Sequence, residues 1–339
     1  MIPISYDLSK QEVKDALLPY HQFVSHFTKN LNNAIKRGYI GNRKIDKSGN
    51  DLTLYLRGDE LKLAKWLSTH MVRIAMIKAE HIELFISMME RVWDVSNNAY
   101  RLKWIHHLFV ENGFDGGAFP KDALVKAVGA DTCPYCNRNM VGHVYIRKVE
   151  DGHIVTKSLK GQLDHFYYKA KYPYLAISLN NLVPSCKDCN EYPNKQTEDA
   201  IATHLVSPYS IQTPDGLKFR IDYAWDLYAC KVKEDDISIG FDVSGNPNTA
   251  RNVYTFGLSD LYNRFHKDIA VRVNNAFIYT QNRKYQQGID TMTQGLANQK
   301  ADDYEEFKEA VGVVNSSQFY KKQLSKLATD IWYQLEKGL

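Results

Sequence analysis

Apolar residues recur every three to four positions through the first third of the chain, at Val13, Leu17, Val24, Phe27, Leu31 and Ile35. That period predicts one amphipathic helix, and Gly38, a residue free to adopt the left-handed terminal conformation, predicts its end. A second helix-rich region spans about 59–112, with apolar blocks at 61–67, 71–77, 82–89 and 104–110 and breaks expected near Asn97-Asn98 and at Gly113. After Gly116-Gly117 and Pro120 the period shortens. Residues 140–149 read as a strand, Asp151-Gly152 as a turn and 153–158 as the returning strand, and 219–228 and 237–243 are strand-like too. Helical spacing then returns. Ser259 is expected to cap a run carrying Leu261, Phe265, Ile269, Val273 and Phe277, and Leu324, Leu327, Ile331 and Leu335 mark an amphipathic C-terminal helix. All these stripes read as core. The pattern predicts an α+β protein with mainly helical N- and C-terminal parts, 1–120 and 209–339, around a small β-rich module at 121–208.

A chain of 339 residues exceeds what one hydrophobic core usually serves, so two or three packed units are expected. No apolar run is long enough for a membrane span, and the start lacks a basic segment followed by an apolar one. A cytoplasmic protein is therefore expected. The net charge of +4 does not by itself demand a polyanionic partner, but it allows a local basic face. The loop 39–51, glycine- and asparagine-rich with several lysines and arginines, reads as exposed and basic.

Cysteine usage changes the picture. Of five cysteines, four form two tight pairs, Cys133-Pro-Tyr-Cys136 and Cys186-Lys-Asp-Cys189, and Cys230 stands alone as an expected small buried hydrophobe. Two pairs do not make a disulfide framework, whereas two Cys-x-x-Cys knuckles can complete a tetrahedral zinc shell with Zn–S bonds of about 2.3 Å. Four sulfurs leave no open position, so that zinc is expected to be structural and to clamp the ends of a long insert.

Between the knuckles lies Gln162-Leu-Asp164-His165-Phe-Tyr-Tyr-Lys-Ala-Lys-Tyr-Pro, followed by Asn181-Leu-Val-Pro-Ser-Cys186-Lys-Asp-Cys189-Asn190. From Cys133 to about Lys195 this run resembles the HNH endonuclease family in its zinc-bearing form. The resemblance implies a ββα-metal fold, in which two short strands, a loop and a helix grip one divalent cation. It implies His165 as general base and Asp164 as metal ligand. Asn190 would be the second protein ligand, with Asn194 as an alternative, and Asn181 would hold the loop that aims the base. Tyr168 and Ala170 depart from the family pattern, as does Pro193-Asn194 before Lys195.

The chemistry is coherent without the family. Hydrolysis of a phosphodiester needs a deprotonated water in line with the leaving oxygen, and a neutral imidazole is suited to take that proton near neutral pH. Mg²⁺ or Mn²⁺ held by few protein oxygens would supply the charge for the phosphate. Adjacent residues on a strand point to opposite faces, which separates the roles of Asp164 and His165. Lys169, Lys171 and Lys195 are candidate phosphate contacts, and Tyr167, Tyr168, Tyr172 and Tyr174 candidate stacking residues. His143 and His153 read as surface residues, and His106-His107 as structural.

The expected function is a metal-dependent endonuclease acting on nucleic acid, with DNA the favoured substrate. The module also resembles the nuclease subunits of bacterial anti-phage defence systems of the Septu type. That resemblance implies a separate ATPase subunit, since this chain has no phosphate-binding loop of its own. One finger cuts one strand per encounter, so double cleavage would call for a homo-oligomer or for two binding events. A zinc-stabilised adaptor that binds nucleic acid or protein without catalysis is the competing reading, and it has no use for His165.

Overall fold

The computed structural model describes residues 1–142, 161–191, 194–195, 198–211, 216–224, 230–281 and 308–338, and the backbone alone of 144–150 and 153–159. Helix α1, Gln11–Arg37, buries the predicted stripe from Val13 to Leu31 together with Tyr20 and Phe23. Gly38 ends it at φ 80°, where its N–H reaches the carbonyls of Ala34 and Ile35. A two-stranded hairpin, β1 (Tyr39–Ile40) with β2 (Leu54–Tyr55), follows.

Helices α2 (Asp59–Ala75), α3 (Ala79–Trp93) and α4 (Ala99–His106) fill the second helical region. Asn98 caps α4 by accepting from the Arg101 N–H. The break expected near Gly113 falls at Phe114, where the π-helix His107–Phe114 that continues α4 ends. Gly113 serves close packing: a Cβ there would lie 3.2 Å from Ile177 and 3.3 Å from Phe27.

Helix α5, Lys121–Val128, leads to the first cysteine knuckle. Strands β3 (Val144–Glu150) and β4 (His153–Leu159) pair antiparallel with Glu150 opposite His153, as the turn signal predicted; the turn residues themselves, His143 and the His153 side chain lie outside the described residues. Strand β5 (Gln162–His165) then pairs with β6 (Leu182–Ser185), and α6 (Lys187–Asn190) follows β6 directly. The last third holds the antiparallel pair β7 (Lys218–Tyr223) and β8 (Ile237–Asp242), then α7 (Thr249–Thr255), α8 (Leu258–Phe265), α9 (Lys267–Gln281) and α10 (Ser325–Glu336). Helix and small antiparallel sheets together make an α+β architecture. No helix of the described residues is long and apolar enough to cross a membrane.

Two expectations about this last third are corrected. Ser259 caps nothing: α8 starts after Gly257, a left-handed residue at φ 56°, and buries Leu258 and Tyr262 while Phe265 is exposed. Helix α10 does bury Leu327, Ile331 and Leu335 as predicted, but its first turn is capped from far away, Asn137 Oδ1 accepting from the Lys326 N–H at 3.0 Å. Cys230 is exposed rather than buried.

Contacts cross the expected boundary at residue 120. The Tyr20 hydroxyl lies 2.6 Å from the Ile177 carbonyl oxygen and 3.0 Å from that of Ala75. Ser178 Oγ donates to Ile74, and Asn180 Nδ2 to Ile77. The loop between β5 and β6 is therefore seated on α1, α2 and the π-helix, and one apolar core runs through both parts.

Candidate metal centre and catalytic site

The first knuckle closes by local hydrogen bonds: Cys133 N–H to Asn139 O, and Asn137 N–H to Cys133 O, with Asn137 at φ 52°. The second is carried by α6, whose first residue follows Cys186 and whose third is Cys189. Fold topology brings the two together although Cys136 and Cys186 are fifty positions apart. All four sulfurs are buried and lie within 4.8 Å of one another, Cys136 to Cys186 being 3.9 Å. Backbone N–H groups of Arg138 and Cys186 point at Cys136 and Cys133 Sγ, each at 3.4 Å, which favours thiolate. Burial pushes the Cys133 thiol up, while hydrogen bonds from Cys133, Cys136 and Cys189 hold Cys186 far below the usual thiol range. Four buried sulfurs at these separations could hold a zinc ion.

Strand β5 sends its last two side chains to opposite sides. Asp164 turns toward the cysteine knuckle, where Tyr135 donates its hydroxyl to Oδ2 and Lys195 donates its ammonium to Oδ1 at 2.9 Å. Lys195 Nζ also donates to the His165 carbonyl at 2.9 Å. The Lys195 side chain is fully buried and that of Asp164 is 3% exposed. Burial, and then the Asp164 charge, push the Tyr135 pKa upward, which keeps that hydroxyl a donor.

His165 turns the other way, edge-on to Phe114 of the π-helix with ring centres 4.4 Å apart. Its Nε2 lies 3.0 Å from the Ala176 carbonyl oxygen, which can only accept, so Nε2 carries the proton and Nδ1 keeps its lone pair. Burial, followed by the nearby Lys169 ammonium, lowers the His165 pKa to about 3. The ring is neutral at physiological pH. Lys169 and Lys121 hold their ammonium groups 5.2 and 4.2 Å from the Phe114 ring centre, and both pair with Asp115, at 2.8 and 4.0 Å.

Asn181, fully buried, clamps the intervening loop. Its Oδ1 accepts from the Tyr167 N–H at 2.7 Å, and its Nδ2 donates to the carbonyls of Tyr167 and Leu175 at 3.2 and 3.1 Å. Leu175 precedes Ala176, so the clamp positions the carbonyl that selects the His165 tautomer. Asn190 lies on the Asp164 side of β5, its Nδ2 donating to Gln162 Oε1 at 2.6 Å, and Asn194 Nδ2 turns to the Asp188 carbonyl.

The structure thus brings together Asp164, His165, Asn181, Asn190 and the four cysteines. Of the three lysines expected to contact phosphate, Lys195 is fully buried, whereas Lys169 and Lys171 are partly exposed. Lys195 is an interior ion-pair partner, Lys171 pairs with Asp199, and only Lys169 borders the His165 pocket. Tyr167, Tyr172 and Tyr174 are buried with their hydroxyls on Glu83, Asp199 and Glu90, so they offer no face to a base, and Tyr168 is half-buried. His106 and His107 bond to Glu111. Missed from the sequence were Tyr135, Phe114, Asp115, Lys121 and the Ala176 carbonyl, none of which has a spacing signal.

The Asp164 carboxylate does not fit a divalent cation while Lys195 is in place. Each of its oxygens already accepts a strong donor, and the ammonium supplies the opposing charge. Comparisons with protein-family models, with curated proteins and with solved structures found no match.

Proposed function

We propose that this chain is an HNH-type endonuclease that hydrolyses phosphodiester bonds in nucleic acid, with DNA as the substrate. The observation that carries the reading is the neutral His165, tautomer-locked by the Ala176 carbonyl and bordered by Lys169 and Lys121. In this reading a phosphate settles against the two ammonium groups, and a water in line with the leaving oxygen hydrogen-bonds to Nδ1. As the new O–P bond forms and the old P–O bond breaks, the water proton passes to Nδ1 and the departing alkoxide takes a proton from solvent water. Anionic phosphate beside the ring offsets the repulsion of Lys169, the second cause of the low pKa, and so raises the basicity of Nδ1 when substrate is bound.

The resemblance to HNH enzymes also brings Mg²⁺ or Mn²⁺, with Asp164 and Asn190 as ligands. Because the Asp164 oxygens are engaged, no step is routed through such an ion here. The wider reading, a nuclease subunit of an anti-phage defence system acting with a separate ATPase, rests on the motif resemblance. One observation favours the alternative of a zinc-stabilised binding module: the ion pair that occupies Asp164.

Supercoiled plasmid incubated with wild type and with His165→Ala, in Mg²⁺, in Mn²⁺ and in EDTA, tests the reading. Nicking or linearisation by the wild type, lost in the variant, is expected. Unchanged cleavage by His165→Ala would remove His165 as the base, and DNA binding with no cleavage under any condition would leave the binding module. The EDTA arm reports separately on the divalent ion.

A further inference from the structure

The hairpin β1–β2 and its flanks hold a charge concentration that the proposed chemistry does not use. Between Lys36 and Arg57 stand six cationic residues, Lys36, Arg37, Arg43, Lys44, Lys47 and Arg57, against two acidic ones, Asp46 and Asp51. That net of +4 equals the net charge of the entire chain, so everything outside this short stretch sums to neutrality. All six cations are exposed, and among the described residues none forms a salt bridge. Both acidic residues are tied into the loop: Asp46 accepts from Ser48 and Asn50, and Asp51 from Thr53 and the Tyr55 hydroxyl.

The arginines are not free-swinging. Tyr39 and Tyr55 are opposite each other across the two strands, their rings edge to face at 6.5 Å. Arg37 and Arg43 lie over the Tyr39 ring at 5.1 and 5.5 Å, and Arg57 over Tyr55 at 4.3 Å. Stacking of this kind holds a guanidinium flat while its edge N–H groups remain available for phosphate oxygens, and it lowers the side-chain ordering cost of binding. A solvated surface charge needs neither the aromatic support nor the local excess.

The hairpin also packs on the helix that walls His165. Gly41 packs against His107 so closely that a Cβ there would lie 2.8 Å from Nε2. His107 opens the π-helix whose last residue, Phe114, packs on His165.

We infer that the β1–β2 hairpin is a docking surface for the phosphate backbone of double-stranded DNA. The substrate class rests on the endonuclease reading; the surface itself does not depend on whether His165 cleaves.

The test is fluorescence anisotropy of a labelled duplex titrated with the full chain, on a His165→Ala background, across a series of salt concentrations. Arg43→Gln/Lys44→Gln/Lys47→Gln removes three charges from exposed positions, of which Arg43 is the one stacked on Tyr39. If these three contact phosphates, the slope of log K against log salt falls by about 2.7, and affinity near 0.1 M salt falls at least about tenfold and up to about 500-fold. Lys44→Arg/Lys47→Arg, which keeps the charges and leaves the stacked Arg43 in place, should bind within about threefold of the parent. An unchanged slope and affinity in the glutamine variant would overturn the inference. So would preference for single-stranded DNA or RNA in competition. Failure of this surface with intact His165-dependent plasmid cleavage leaves the endonuclease standing; hairpin-dependent binding without cleavage does the reverse.

Discussion

Lys195→Met is the most informative single perturbation of the site. The wild-type ammonium is fully buried and makes two hydrogen bonds of 2.9 Å, one to Asp164 Oδ1 and one to the His165 carbonyl. Methionine fills similar volume but leaves the Asp164 carboxylate, 3% exposed, with only the Tyr135 hydroxyl. Removing one partner of a buried pair costs roughly 3–5 kcal/mol, because the remaining charge stays desolvated. For a chain of this size that corresponds to a drop of roughly 4–7 °C in melting temperature. Asp164→Asn/Lys195→Met removes both charges while the introduced amide oxygen still accepts from Tyr135, and should recover most of the loss. Thermal and urea denaturation of wild type, both single variants and the double variant give the coupling energy directly. Mn²⁺ or Mg²⁺ should stabilise Lys195→Met and not the wild type, by about 2.7 kcal/mol at a hundredfold excess over the dissociation constant, since the ion then takes the place of the ammonium. A loss below about 1 kcal/mol in Lys195→Met would refute the argument, for it would mean the ammonium is solvated rather than locked on Asp164.

Three further outcomes are expected. The purified protein should carry one zinc per chain, and Cys136→Ser should lose it together with the fold of the module, since structural zinc contributes on the order of 10 kcal/mol; metal analysis and melting curves check both, and a metal-free protein that melts like the wild type would dismiss the cluster as a zinc site. His165 has a folded pKa of about 3 against an ordinary 6.5, so the unfolded chain binds its proton more readily. The stability from keeping it neutral is complete above pH 6.5 and drains away as pH falls toward 3, by about 5 kcal/mol in all, and His165→Phe should flatten that part of the stability profile. Asn181→Ala strands the Tyr167 N–H and two carbonyls inside the protein, so unfolding should become easier by roughly 3 kcal/mol or more, and any cleavage should lose turnover rather than substrate affinity.

Much of this protein is readable without coordinates because the signals are local. Helical period and a terminal glycine are enough for α1, alternation and Asp151-Gly152 for β3 and β4, and Cys-x-x-Cys spacing for each half of a metal knuckle. Local signals misled where packing overrode them. The serine expected to cap α8 does not do so, and the helix begins after a left-handed glycine instead.

From the order of its residues alone, the chain determined that four thiols come in two pairs and that a carboxylate and an imidazole adjoin; the structure put that dipeptide on a strand, which sends them to opposite sides. Only the tertiary structure decided what each side meets. Lys195, a surface cation by composition, is interior because the chain after α6 brings it back under β5, where Asp164 needs a charge partner. His165 is neutral because the seated loop supplies a carbonyl and the π-helix an apolar wall. Desolvation and pairing depend on which distant segments share a few ångströms of space, and neither spacing nor composition specifies that.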